Sequence, residues 1–176
     1  FSTDTYFYNN TEAVALCSNS HTTTSGAGTG SGFDNLTTAS LSAVSVAAAR
    51  IQHVGLRGDQ AERISLMPNE LWVPPDLYDI AYEIADSQGK PDTANNNANV
   101  HFGKYTVKEW NYMTDTNNWF LMDSGMRKQS LFWFERIPLE FAFAEELDTI
   151  LAKWRSYMRY SLGHSDWRFV LGAQVS

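Results

Sequence analysis

Four acidic side chains lie close together in the last third of the chain, at Glu140, Glu145, Glu146 and Asp148. Acid/base hydrolysis needs two carboxyl groups a few ångströms apart, in environments that separate their pKa values. Nothing in the neighbouring sequence supplies such contrasting environments. The pattern instead favours a solvated acidic turn, or ion pairs with Arg155 and Arg159 across a subunit boundary. A hydrolase that uses these carboxylates is kept as an alternative.

Metal and thiol chemistry have little support in the sequence. Cys17 is the single cysteine of the 176 residues, so the chain can build neither a cystine framework nor a thiolate zinc cluster. No basic residue adjoins Cys17 to lower its pKa, which predicts an inert thiol. The histidines are spread singly, without helical metal-site spacing, at His21, His53, His101 and His164. We expect no metal and no cofactor.

A glycine-rich run at residues 25–32 invites comparison with phosphate-binding loops. It lacks the GxGxxG spacing, and no Gly-Lys-Ser/Thr follows it. Residues 1–35 are rich in Ser, Thr, Asn and Gly throughout, a composition typical of arms and loops. We therefore expect this region to lie outside the core.

Aromatic and arginine side chains alternate near the end of the chain. The cluster consists of Trp154, Arg155, Tyr157, Arg159, Tyr160, Asp166, Trp167 and Arg168. Rings and guanidinium groups anchor protein interfaces by stacking and bidentate pairing, so the cluster predicts a subunit interface. Stacking on single-stranded nucleic acid is the competing interpretation. It requires a basic groove, which a net charge of −7 and a pI near 5.0 disfavour.

Two helices and a strand are expected in the first half. Residues 38–52 form the first helix, capped by Thr37 or Thr38, and its predicted buried face contains Leu41, Val44, Ala48 and Ile51. Residues 70–73 predict a short buried strand, and Pro74 and Pro75 begin the second helix. That helix is expected to turn Leu77, Ile80, Ala81 and Ile84 inward and to end at Gly89 and Pro91. Residues 92–99 predict a surface loop.

The second half predicts short antiparallel strands, at residues 105–112, 119–122, 131–135 and 139–143. Residues 150–162 then alternate at period two. Ile150, Ala152, Trp154, Met158, Tyr160 and Leu162 lie on one face, and Lys153, Arg155 and Arg159 lie on the other. A helix also fits Leu147, Ile150, Leu151, Trp154 and Met158, but we favour a long, half-exposed strand. The predicted class is α+β.

The composition suits one compact domain. Apolar residues make up 43% and aromatic residues 14% of the chain, enough for a sizeable core. No apolar run reaches the roughly 18 residues that a membrane span requires, so we expect a soluble protein without membrane contact. The chain begins with Phe1 instead of Met, and we expect further N-terminal sequence.

Several segments, taken in order, resemble one known family. Residues 13–21 contain Leu-Cys-x-x-x-His, residues 66–75 contain Pro-x-x-Leu-x-Val-Pro-Pro, and residues 91–99 form an Asn-rich loop. Residues 118–121, 134–136, 159–163 and 166–168 read Asn-Trp-Phe-Leu, Phe-Glu-Arg, Arg-Tyr-Ser-Leu-Gly and Asp-Trp-Arg. Their ordered combination is similar to the Mu-like prophage major head subunit family of tailed-phage capsid proteins.

The resemblance implies an α+β major capsid fold of the Hong Kong 97 type, with axial and peripheral domains. The N-terminal arm, extended loop and spine helix of such a fold would precede Phe1. Residues 1–37 would be a Ser/Gly-rich arm or loop with a peripheral-domain strand. Residues 38–143 would form an axial-like α+β domain, and residues 144–176 would be the long strand that returns to the peripheral domain.

The function implied by the resemblance is structural and not enzymatic. Copies of the chain would assemble into pentamers and hexamers of an icosahedral shell, which encloses double-stranded DNA without sequence-specific binding. Scaffolding, portal or decoration proteins would be further partners. The expected location is the virion, after assembly in the bacterial host cytoplasm. A phage tail or decoration protein, which would lack the helix at residues 38–52, is a third hypothesis.

Overall fold

The computed structural model describes residues 14–21, 33–89, 97–146, 148 and 151–175. In these residues the elements run in the following order. They are β1 (Leu36–Thr37), α1 (Ala43–Val54), β2 (Glu70–Val73), α2 (Tyr78–Asp86), β3 (Thr106–Glu109), β4 (Trp119–Met122), α3 (Ser124–Ser130), β5 (Leu131–Glu146), β6 (Leu151–His164) and β7 (Val170–Ala173). A 3₁₀ turn, Pro75–Leu77, leads directly into α2.

Five strands form one mixed sheet in the order β1-β7-β4-β2-β3. β4 pairs with β2 and β7 in antiparallel fashion, whereas β3 lies parallel to β2. The expectation that residues 105–112 form an antiparallel strand is therefore wrong. The reason is that α2 lies between β2 and β3, and a helical crossover returns the chain in the same direction.

The sheet has an apolar layer on each face. One face carries Leu71, Val73, Trp119, Leu121, Leu171 and Ala173, and it packs against α1 and α2. The other face is covered by a second cluster that includes Leu16, Cys17, Phe33, Leu56, Trp167 and Phe169. Residues 14–21 and 33–35 thus contribute to the core, contrary to the expectation for residues 1–35. The glycine run lies outside the described residues.

Helix α1 begins later than expected and buries a different face. Ser42 caps it, and Ser45 completes a reciprocal capping box. The buried side chains are Ala43, Ser45, Val46, Ala49 and His53, whereas Val44 and Ile51 are each 70% exposed. Apolar residues occupy two stripes of this helix, so periodicity alone does not choose between them. The chosen stripe is rich in alanine, whose small side chain lets the helix approach the sheet closely.

Helix α2 follows the predicted orientation in part. Ala81 and Ile84 are buried as expected, whereas Ile80 is 42% exposed. The helix ends at Asp86, and Asn99 is buried just beyond it, donating its side-chain amide to the carbonyls of Ile84 and Ser87. The expectation of a surface loop is wrong for Asn99, because its amide satisfies carbonyls at the end of the helix. Residues 90–96 lie outside the described part of the chain.

His53 predicts a loss of stability in mild acid. Its Nε2 donates to the Arg168 carbonyl at 2.9 Å, and its Nδ1 is buried without a hydrogen-bond partner. Burial lowers the pKa of His53 from 6.5. Below pH 6.5 the unfolded chain therefore binds more protons than the folded one, and stability falls as pH decreases, by up to about 1.4 kcal/mol per pH unit.

Chemical denaturation at pH 7.5, 6.5 and 5.5 measures this effect. His53→Gln is the comparison, because glutamine keeps a donor for the Arg168 carbonyl and does not titrate. We expect a smaller pH slope in this variant, with a residual slope from His101, whose pKa burial also lowers. Equal slopes in the two proteins would contradict the assignment to His53.

Candidate assembly surface

Strands β5 and β6 form an antiparallel hairpin that is separate from the main sheet. Their 16 and 14 residues pair from Leu131 with His164 to Glu146 with Leu151. A strand of this length extends roughly 50 Å. The prediction of a long strand at residues 150–162 is confirmed over its described part, from Leu151 onward.

The first hairpin strand is continuous, although two strands were expected at residues 131–135 and 139–143. Its register shifts between Glu135 and Ile137 and again between Ile137 and Glu140. These irregularities surround Pro138, which has no backbone N–H for a regular ladder. The proline therefore bends β5 without ending it.

One face of the hairpin is largely aromatic, and we call it the aromatic face. Cross-strand pairing places these side chains together: Trp133, Phe141, Phe143, Trp154, Met158, Tyr160 and Leu162. The ring centroids of Trp133 and Tyr160 are 4.3 Å apart, and those of Phe143 and Trp154 are 4.5 Å apart. Phe141 is nevertheless 77% exposed and Trp154 is 79% exposed. At ~200 Å² per large side chain, the exposed apolar area of this face is roughly 800 Å².

The opposite face of the hairpin carries cations, and we call it the basic face. Lys153, Arg155 and Arg159 alternate with the aromatic-face residues along β6, as the sequence pattern predicts. Tyr157 shares this face and pairs across the hairpin with Glu140. The strand is exposed on both faces, not on one, because the described residues place no element over either side.

The predicted interface residues separate into two groups. Trp154, Arg155, Tyr157, Arg159 and Tyr160 lie on the exposed hairpin. Asp166, Trp167 and Arg168 instead lie in the body of the fold, where Trp167 and Arg168 are buried.

Arg168 ties three parts of the body together. Its guanidinium donates to the Arg57 carbonyl at 2.6 Å and pairs with Asp59 at 2.7 Å and Asp166 at 3.2 Å. It also lies 4.8 Å from the Trp167 ring centroid. This group therefore stabilises the protomer, and the exposed surface is limited to the hairpin.

The candidate catalytic carboxylates do not converge. Glu140 pairs with Tyr157 on the basic face, whereas Glu145 pairs with Ala152 on the aromatic face. Five residues of extended strand separate them, roughly 16 Å. Asp148 is exposed in the turn, and the Glu146 side chain lies outside the described part. A general acid/base pair needs a much shorter separation.

Cys17 lies against the main sheet, where a side chain on Gly172 would meet its Sγ at 2.8 Å. Burial raises the pKa of the Cys17 thiol to about 12. Because the thiolate is the reactive form, we expect no labelling of the native protein by a maleimide at pH 7.5 and stoichiometric labelling in denaturant. Rapid native labelling, measured by mass spectrometry, would contradict this burial.

Sequence reasoning missed Asn35, which joins separate segments beneath the sheet. It is 0% exposed, and its amide donates to the carbonyls of Leu16 at 2.8 Å and Val170 at 3.0 Å. Its Oδ1 accepts from the Ser18 N–H at 2.7 Å. No sequence signal distinguishes this asparagine from exposed ones, because its partners are backbone groups distant in sequence.

A family model described as phage capsid protein matches residues 7–173. The chain belongs to the phage capsid protein family. Family membership makes it a structural subunit of a bacteriophage particle, which assembles with other copies and is located in the virion. The helices and two sheets of the capsid protein agree with the predicted α+β class. No curated protein matches the chain.

Two searches of the capsid protein were negative. Within the described ranges, no group of three or more His, Cys, Asp or Glu residues is placed to hold a metal ion. None of the described helices combines the length and apolar character needed to cross a membrane.

Proposed function

We propose that this capsid protein is a major head subunit of the Mu-like, Hong Kong 97-type class. Its copies form pentamers and hexamers of a closed icosahedral shell that encloses double-stranded DNA. The observation that carries the proposal is the β5–β6 hairpin, whose aromatic face is open in the protomer. An apolar patch this large marks a binding surface.

The dimensions of the hairpin support contact with neighbouring copies. A body of about 130 residues has a radius of gyration of roughly 14 Å, so a hairpin of roughly 50 Å extends well beyond it. An isolated two-stranded hairpin is marginally stable in water and needs packing on at least one face. Covering roughly 800 Å² on one partner corresponds to a protein–protein interface of standard size.

The charge of the chain suits containment of DNA more than tight binding. A net charge of −7 supplies no overall basic field toward phosphates. The basic face of the hairpin is local, with Glu140 among its cations. Scaffolding, portal or decoration proteins are further proposed partners, and assembly is proposed to occur in the host cytoplasm.

Electron microscopy of the protein after expression in bacteria tests the proposal. We expect closed particles of uniform size that sediment rapidly and show five-fold and six-fold capsomers. Open tubes would favour a tail protein, and small oligomers bound only to preformed particles would favour a decoration protein. A monomer at all concentrations would reject a shell subunit.

A further inference from the structure

A groove lies beside the exposed stripe of α1. It has a volume of about 270 Å³ and is lined by Arg50, Ile51, Val54, Gly55 and Arg63. Ile51 is 70% exposed and Val54 is 41% exposed. Within the described part of the chain, neither Arg50 nor Arg63 has a side-chain ion pair. This α1 groove therefore combines an apolar wall with two available cations, and its volume is sufficient for one aromatic side chain.

A complementary surface lies on α2 and the turn before it. Asp76, Asp79, Glu83 and Asp86 follow one another at steps of three and four residues, so they form one stripe. The 52% exposed ring of Tyr82 lies beside this stripe. We call the stripe and Tyr82 the α2 ridge. Like charges at this spacing destabilise a helix, and α2 has no basic residue in its last turn. Cations from another molecule would offset that repulsion.

The groove and the ridge lie at different ends of one layer. Both helices cover the same face of the main sheet. α1 contacts β7, whereas α2 contacts β2 and β3, and β4 separates β7 from β2 in the sheet. The protomer thus presents a basic groove at one end of this layer and an acidic ridge at the other. A contact between two different patches is head-to-tail, and such contacts generate closed rings when the rotation closes.

We propose that the α1 groove of one copy of this chain receives the α2 ridge of a second copy. Tyr82 enters the groove against Ile51 and Val54. Carboxylates of the ridge then pair with Arg50 and Arg63 of the neighbouring copy. The inference rests on the proposed function, because a ring of head-to-tail contacts is what a pentamer or hexamer requires.

Charge exchange tests the pairing directly. Arg50→Glu/Arg63→Glu should reduce the yield of sedimenting particles at least tenfold, and so should Glu83→Lys/Asp86→Lys. Coexpression of the two double variants should restore mixed contacts, and combining all four changes in one chain should restore assembly to within about threefold of wild type. Lys128→Glu, an exposed charge reversal on α3, is the matched control and should assemble normally. Normal assembly of either double variant, or failure of the fourfold variant to recover while it remains folded by circular dichroism, would overturn the proposal.

A disulfide test separates this contact from shell formation. Val54→Cys and Glu83→Cys, mixed as single variants under mild oxidation, should form a covalent dimer that neither forms alone. The double variant should give a ladder of multimers ending at the ring size. Such a ladder without particles would reject the shell and retain the contact, whereas particles without cross-links would reject the contact and retain the shell.

Discussion

Replacing Trp154 by alanine is expected to abolish particle formation and to leave the protomer folded. Trp154 is 79% exposed, and its described ring partner is Phe143 on the opposite strand. Exposed substitutions typically change the free energy of unfolding by less than about 1 kcal/mol. Loss of a tryptophan from the centre of an interface typically costs about 2 to 4 kcal/mol in binding. A shell repeats that loss at every equivalent contact, so the effect on assembly is much larger than the effect on folding.

Sedimentation and chemical denaturation measure the two effects separately. Tyr112→Ala is the matched control, because Tyr112 is an aromatic residue with 88% exposure that lies outside the hairpin. We expect Trp154→Ala to remain in slowly sedimenting species and Tyr112→Ala to form particles like wild type. If Trp154→Ala assembled normally, the aromatic face would not be an interface between copies.

The second large effect is expected for Asn35→Asp, which acts on the protomer and not on its contacts. The asparagine amide donates to the carbonyls of Leu16, Trp167 and Val170 beneath the sheet. A carboxylate removes both donor hydrogens, so carboxylate and carbonyl oxygens would face one another in a buried site. At roughly 1 to 3 kcal/mol for each unsatisfied buried group, we expect a loss of roughly 3 to 5 kcal/mol in unfolding free energy.

The same chemical change at Asn117 provides the control. Asn117 is exposed, so Asn117→Asp should alter stability by less than about 0.5 kcal/mol. Urea denaturation of both variants at pH 7 distinguishes the two sites. A small change in Asn35→Asp would show that the clamp contributes little to stability.

The local elements were largely predictable from the sequence. The strand at residues 70–73, the following helix and the strand at residues 119–122 are confirmed, because turn residues and short apolar runs bound each of them. The period-two alternation after residue 150 also predicted a strand with aromatic and basic faces. The phage capsid family is supported over residues 7–173. The Mu-like subclass and the division at residues 37 and 143 stay predictions.

The sequence by itself determined where strands and helices form, because backbone propensity and local alternation are properties of neighbouring residues. Only the tertiary structure decided which stripe of α1 is buried, that β3 runs parallel to β2 and that Asn35 joins distant carbonyls. Those outcomes depend on packing between segments far apart in sequence. The exposure of both hairpin faces also belongs to this second class. Alternation predicts two faces, but only the arrangement of the other elements determines whether either face is covered.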